Sequence, residues 1–280
     1  MVKCRKTWMT VAKALIGAII LIIALFPIYW LLLMSVRPEN QNMEVISLIP
    51  KEITFKYFEQ LFQEKGFDVA LKNSLINSGI SLIFSLVLGL CTSYVLARKR
   101  FFFPIRKPMT GWIFLIRILP PVAFIIPLYI IFGKLGILET RLPIILACIL
   151  INLPLVIWFM ITFFKDIPEE VEESAKMDGA TEWQIFYKII LPLVLPGIAA
   201  VAMLSFMYSW NEYTYSVILT RSPQNYTIPL ALAVLNTEDN VTNFGLVSAG
   251  GITSFIPMVL FVLFAQNYLI SGLSSGAVKE

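Results

Sequence analysis

Apolar runs of 23 to 27 residues come up six times in this chain, over about 8–34, 73–97, 109–132, 142–164, 193–219 and 244–269. A helix needs roughly 20 consecutive apolar residues to cross the hydrocarbon of a bilayer. Inside lipid a segment must satisfy its own backbone, and for runs of this length that means an α-helix. The expectation is an all-α, polytopic membrane protein with six transmembrane helices. Composition agrees, with 14% charged residues where a soluble domain carries roughly 25%.

The first run follows Lys3, Arg5 and Lys6. A secretory signal would have an apolar core of about 7–15 residues and a small-residue cleavage site. This run is longer and ends in Ser35-Val36-Arg37-Pro38, so it reads as a retained span. Residues 37–72 are polar on average, but Phe55 to Phe62 has helical amphipathy and is expected on the outer bilayer surface. In the second run Ser74, Ser78, Ser81, Ser85 and Gly89 share one face. Small residues at that spacing let helices approach closely, a reading preferred to a solute-lining stripe. Pro120, Pro121 and Pro127 predict a kinked or broken third span. Segment Tyr226 to Leu235 is apolar but too short to cross.

Orientation follows from the basic residues, since short Lys/Arg-rich loops stay cytoplasmic. With the N-terminus inside, 13 of the 22 fall in cytoplasmic segments, among them Arg98, Lys99, Arg100, Arg106 and Lys107. Eight fall outside, and Arg117 lies within a span. Both termini and the segment 165–192 are therefore expected in the cytoplasm. The net charge of +4 arises beside membrane spans and does not point to nucleic acid.

Several chemistries lack their residues. There is no histidine, which removes His-based acid–base work and the commonest metal ligand. Cys4, Cys91 and Cys148 make no disulfide framework. No phosphate-cradling G-x-x-x-x-G-K-[ST] motif occurs, so nucleotide energy would have to come from another chain. A proton-coupled carrier would need several acids deep in its spans, and only Glu212 comes close. No Ser/His/Asp or Cys/His set exists for an intramembrane hydrolase. No catalytic residue and no metal site are assigned.

One polar island interrupts the apolar pattern, from Pro168 to Pro196. Pro168 suits the first helical position, and Glu169, Glu170, Glu172 and Glu173 suit the positive end of the macrodipole. Val171 and Ala175 share a face, and Gly179 suits the left-handed cap that ends a helix. Thr181 and Gln184 form a capping box for a second helix. Ile185, Phe186, Ile189 and Ile190 give that helix an apolar face. Two short helices about a tight turn at Asp178-Gly179-Ala180 are expected. An ordinary solvated loop is the plainer alternative.

The spacing of this island resembles the EAA signature of permease subunits of ABC importers: EAA, three free residues, Gly, nine free residues, then I-x-L-P. Glu173-Ser174-Ala175, Gly179, Ile189, Leu191 and Pro192 match it, with Ser174 the one departure. Further segments resemble the carbohydrate-uptake branch, in particular the smaller maltose-permease-type subunit. They are Ser35-Val36-Arg37-Pro38-Glu39, Asn73-Ser74, Tyr94 to Arg98, Pro127-Leu128-Tyr129, Gly136-Ile137-Leu138, Trp210-Asn211-Glu212-Tyr213 and Gly276-Ala277-Val278-Lys279. The resemblance implies a single permease domain over 1–280 in a bacterial or archaeal cell (inner) membrane. It implies a second homologous permease subunit, two ATP-binding subunits carrying ATP and Mg, and an extracytoplasmic solute-binding protein as partners. The loop's helices would be coupling helices seated in an ATPase cleft. Glu173, Ser174, Ala175, Asp178 and Gly179 would lie at that contact, and Ile189, Leu191 and Pro192 would anchor the loop to span five. This chain would bind no cofactor and hydrolyse no ATP itself.

Planar polar side chains and aromatic faces bind sugars, which makes Asn152, Ser209, Asn211, Glu212 and Tyr213 candidates for the solute path. Inter-helix hydrogen bonding or interface anchoring is the plain reading of these five. Arg117 joins the candidates as the one basic residue well inside an apolar run, where the plain reading is a bond to carbonyls freed at the helix break or to a partner subunit. A self-sufficient secondary carrier or channel remains the competing function.

Overall fold

The computed structural model describes residues 2–38, 47–99, 101, 104, 106–235 and 243–276, with side chains from residue 9 to residue 266. Glu39, Arg100, Ala277, Val278 and Lys279, singled out above, lie outside the described residues, as do the side chains of Lys3, Cys4, Arg5 and Lys6. Among the described residues every regular element is helical.

Four helices are long and apolar enough to cross a membrane: α1 (Val2–Val36), α3 (Phe67–Ala97), α6 (Leu142–Lys165) and α13 (Phe244–Gly276). Two bent pairs bring the number to six if each is one span. In the first pair, α4 (Arg106–Ile118) and α5 (Val122–Lys134) meet at 101°. The break falls at Leu119-Pro120-Pro121, where proline denies the backbone its next hydrogen bond. In the second pair, the stretch Glu182–Leu193 meets α10 (Leu195–Trp210) at 76°, and α10 gives way to a short α11 (Thr214–Leu219). The apolar piece near 226–235 forms α12 (Ile228–Leu235), eight residues long.

The chain divides into two compact units, 1–67 with 232–256 and 68–231 with 257–280. In the first, the amphipathic segment forms α2 (Lys56–Gln63), with Tyr57 and Leu61 buried. Gly245 lies so close to the Tyr57 ring that an added Cβ would stand 2.3 Å from it.

In the second unit α6 is the central element. Gly89 on α3 meets Val156, and Gly197 on α10 meets Phe163; a Cβ would come within 2.5 and 2.6 Å respectively. The serine face of α3 is buried, and Ser81 Oγ donates to the Ile145 carbonyl at 3.2 Å, as expected of a packing stripe. On the side assigned to the outer surface, Asn73 Nδ2 donates to the carbonyls of Gln224 and Tyr226 at 2.8 and 3.0 Å. Arg141 Nε donates to Asn73 Oδ1 at 2.9 Å, and Ser74 Oγ accepts the Ile228 N–H at 2.8 Å. The Asn73-Ser74 pair thus ties α3 to the segment 224–228.

A candidate docking loop and a candidate solute path

The polar island folds as two short helices about a glycine turn. α7 (Glu169–Met177) carries Glu169, Glu170 and Glu172 in its first turn. Pro168 stands at the capping position, one residue before the expected one, with an extended ψ of 139°. At the other end Gly179 adopts φ 84°. Its N–H donates to the Lys176 carbonyl at 2.9 Å, and the Ala180 N–H donates to the Ala175 carbonyl at 3.0 Å. These are the two bonds of a Schellman cap, which satisfy carbonyls left open at the helix end. An added Cβ on Gly179 would meet nothing within 4 Å, so within this chain the glycine is needed for its backbone conformation and not for space.

The second helix opens with α8 (Glu182–Gln184) on a complete capping box. Thr181 Oγ1 accepts the Gln184 N–H at 3.3 Å, and Gln184 Oε1 accepts the Thr181 N–H at 2.9 Å. The helix then widens into a π-turn, Ile185–Ile190, before α9 (Leu191–Leu193). In an α-helix the Pro192 ring would crowd the carbonyl of Lys188, and the wide turn lies where that conflict would arise. Ile185, Phe186 and Ile190 are buried, and Ile189 and Leu191 pack against the same core, while Pro192 is exposed.

The loop is no solvated excursion. Ala175, Ile185, Phe186 and Ile190 share one core with Leu90 and Tyr94 of α3 and Met160 and Phe164 of α6. Glu172 is fully buried there and pairs with Arg98, Oε1 to Nε at 2.6 Å. Tyr94 Oη donates to Glu172 Oε2 at 2.9 Å. Reading the sequence assigned Glu172 to the macrodipole and Arg98 to the cytoplasmic charge bias, and missed that they meet. Glu173, Ser174 and Asp178 point to solvent. So do Met177, 88% exposed, and Trp183, 64% exposed, which the sequence reading passed over. Large apolar side chains held out on a well-capped scaffold are the anchors expected of a protein contact.

The second group gathers where the two broken spans meet. Asn152, 1% exposed, donates through Nδ2 to the Ser205 carbonyl at 3.2 Å and to Ser209 Oγ at 2.8 Å, joining α6 to α10. Its Oδ1 is buried with no hydrogen-bond partner. Asn211 Nδ2 donates to the Met207 carbonyl at 2.9 Å as α10 ends. Glu212, one residue ahead of the capping position Tyr213, accepts the Tyr215 N–H at 2.6 Å and so satisfies a first-turn donor of α11. A cavity of about 170 Å³ is lined by Asn152, Ser209, Asn211, Glu212 and Tyr213. A second, of about 230 Å³, holds Arg117, whose guanidinium lies 5.7 Å from the centre of the Tyr208 ring. The two share Pro121, Ile151 and Tyr208. The structure therefore brings five of the six candidates into one cavity and Arg117 into its neighbour. Among the described residues no cluster of three His, Cys, Asp or Glu could hold a metal ion.

Comparison with known proteins gives one consistent picture. Residues 89–275 match the family described as binding-protein-dependent transport system inner membrane component. The chain is 34% identical to the trehalose transport system permease protein SugB of Mycobacterium tuberculosis, over 95% of this chain and 96% of that protein. It is 32% identical to the diacetylchitobiose uptake system permease protein DasC of Streptomyces coelicolor, covering 94% and 95%. Similarity to AraQ of Halalkalibacterium halodurans, an arabinooligosaccharides transport system permease protein, is 32% over 94% of each. Among solved structures, a chain of a bacterial ABC transporter that imports the acidic polysaccharide alginate shares the fold at TM-score 0.78 and 23% identity, covering 92% of this chain and 95% of that one.

Proposed function

The chain belongs to the binding-protein-dependent transport system inner membrane components, and on that premise we propose that it is the permease subunit of an ATP-driven importer for a sugar or oligosaccharide. Relatives named for trehalose, diacetylchitobiose and arabinooligosaccharides support the carbohydrate class. So does the cavity of amide, carboxylate, hydroxyl and tyrosine side chains at the meeting of the broken spans. Residues 1–280 are read as one permease domain, since these relatives align over nearly the whole chain.

The observation that carries the docking role is the loop itself: a doubly capped turn, fastened from below, that holds Met177 and Trp183 out to solvent. In this reading Glu173, Ser174, Ala175, Asp178 and Gly179 border the contact with an ATP-binding subunit. Ile189, Leu191 and Pro192 lead the loop into span five. The assembly comprises a second homologous permease, two ATP-binding subunits that hold ATP and Mg, and an extracytoplasmic solute-binding protein. Both termini face the cytoplasm, and lipid covers the apolar side chains of α1, which are exposed from Met9 to Tyr29. Closure of the ATPase pair draws the docked loops together, and the spans exchange inward- and outward-facing states. Asn152, Ser209, Asn211, Glu212, Tyr213 and Arg117 border the solute path.

Affinity purification in mild detergent tests this reading. Co-elution of an ATP-binding subunit and a second polytopic permease, with ATPase activity that depends on the loop, is the expected result. A chain that elutes alone and moves solute in liposomes without ATP overturns it in favour of a self-sufficient carrier.

A further inference from the structure

Besides the three-residue link Asp166-Ile167-Pro168 back to α6, two routes lead from the loop into the spans, and they are built differently. Toward span five the chain passes through the π-turn Ile185–Ile190, the three residues of α9 and a 76° bend. The wide turn and the bend interrupt the regular helical hydrogen-bond ladder, so this route is not one continuous helix. Toward the second span no short stretch of chain connects, yet the attachment is closer. Both carboxylate oxygens of Glu172 are engaged at the end of α3, Oε2 by Tyr94 Oη within the helix at 2.9 Å and Oε1 by Nε of Arg98, the residue that follows it, at 2.6 Å. Arg98 Nη1 also donates to the Ile167 carbonyl at 3.1 Å, just ahead of α7. Arg98 is 2% exposed and Glu172 0%. The Tyr94 ring is wedged against Phe101, Phe164 and Phe186, with centroids 5.6, 5.5 and 4.8 Å away.

A buried ion pair is weak evidence for stability, because desolvation offsets its attraction; its best-attested use is to fix register. An apolar contact can slide, whereas two directional charge-assisted bonds shielded from water hold one geometry. We propose that Arg98 and Glu172 are positioning residues that join the docking helix α7 to the cytoplasmic end of α3 as one rigid body. Displacement of the loop then reaches the second span directly, in parallel with the chain link to α6 and the interrupted helical route into span five. This rests on the coupling role proposed above and adds the path by which the motion enters the membrane.

The test uses the assembled importer in lipid nanodiscs, with Cys4, Cys91 and Cys148 replaced by serine. Spin labels are placed at Lys99→Cys and Glu170→Cys, both exposed and outside the proposed contact, and in a second sample at Glu170→Cys and Met207→Cys. Distances are read by pulsed electron paramagnetic resonance without nucleotide and after trapping with ATP and vanadate. The 99–170 distance is expected to stay fixed while the 170–207 distance changes. The double variant Arg98→Met/Glu172→Leu, which removes both charges and leaves none unpaired, is expected to assemble but to let the 99–170 distance shift or broaden on trapping. The reversed pair Arg98→Glu/Glu172→Arg is expected to restore the fixed distance at least in part. A 99–170 distance that changes in the native pair, or stays fixed in the apolar double variant, overturns the inference while leaving the docking role intact. Failure of any ATP-binding subunit to assemble with the native chain overturns the docking role, and this inference with it.

Discussion

Tyr215 Oη donates to the Pro121 carbonyl at 2.9 Å, so the break in the third span and the break in the fifth share a hydrogen bond. Tyr215 is fully buried in a cluster with Ile125, Phe132 and Cys148. The Pro121 carbonyl also accepts the Phe124 N–H at 3.1 Å as α5 begins, so the Tyr215 hydroxyl is its second donor and the bond that reaches across from α11.

Replacing Tyr215 with phenylalanine keeps the ring and removes that donor. The carbonyl keeps its bond from the Phe124 N–H, so the loss is that of one net hydrogen bond, ~0.5–1.5 kcal/mol. The expected outcome is a slightly lower melting temperature of the purified complex, with membrane insertion unchanged. Unchanged thermal stability would mean that this bond does not couple the two segments.

At Gly179 the structure separates two explanations for a glycine in a docking loop. Its φ of 84° strains any L side chain, whereas nothing in this chain occupies the space a Cβ would fill. A strained non-glycine residue costs ~1–3 kcal/mol, and asparagine tolerates the left-handed region best. Retention of the ATP-binding subunit on purification should therefore fall in the order Gly, Asn, Ala, Val, with Gly179→Asn mild. Equal loss in Gly179→Asn and Gly179→Ala would locate the requirement in a partner surface pressed against the glycine.

Much of this loop was legible because its signals are local. A capping box spans three residues, and a Schellman glycine is read from one position. The Pro120-Pro121 break is equally local, since proline acts on its own turn. Glu172 and Arg98 stand far apart in sequence, and each had a sufficient explanation alone, one as a first-turn acid and the other as a cytoplasmic cation. Their pairing is a fact of tertiary packing that no periodicity encodes. The π-turn was hidden for a related reason. Ile185, Phe186, Ile189 and Ile190 fit an α-helical face, but widening before Pro192 leaves Ile189 only half-buried. Met177 and Trp183 fit no pattern at all, because an apolar residue set aside for a partner looks in sequence like one that has lost its core.

Those two residues carry the next expectation. Trp and Met are enriched at protein contacts, and an anchor truncated to alanine commonly costs ~2 kcal/mol or more, about thirtyfold in affinity. Trp183→Ala and Met177→Ala should each weaken binding of the ATP-binding subunit to that degree in a detergent-solubilised titration. The chain's own melting temperature should hardly move, since both side chains are exposed. Full-affinity binding by the double alanine variant would remove this surface from the docking site.

Asn152 offers a test of the solute path that a purely structural role would fail. Its Nδ2 is committed to Ser205 and Ser209, while Oδ1 has no partner, and the residue lines the 170 Å³ cavity. Asn152→Asp keeps an acceptor at Oδ1 but loses the donor to Ser209. Asn152→Leu loses both, and each variant should lower stability by ~1–3 kcal/mol through the unpaired groups on α10. If a solute hydroxyl donates to Oδ1, Asn152→Leu should also raise the KM for uptake about tenfold with kcat little changed, the mark of lost ground-state binding. Asn152→Asp should raise it much less. Equal KM values in the two variants, alongside equal loss of stability, would confine Asn152 to joining the two helices.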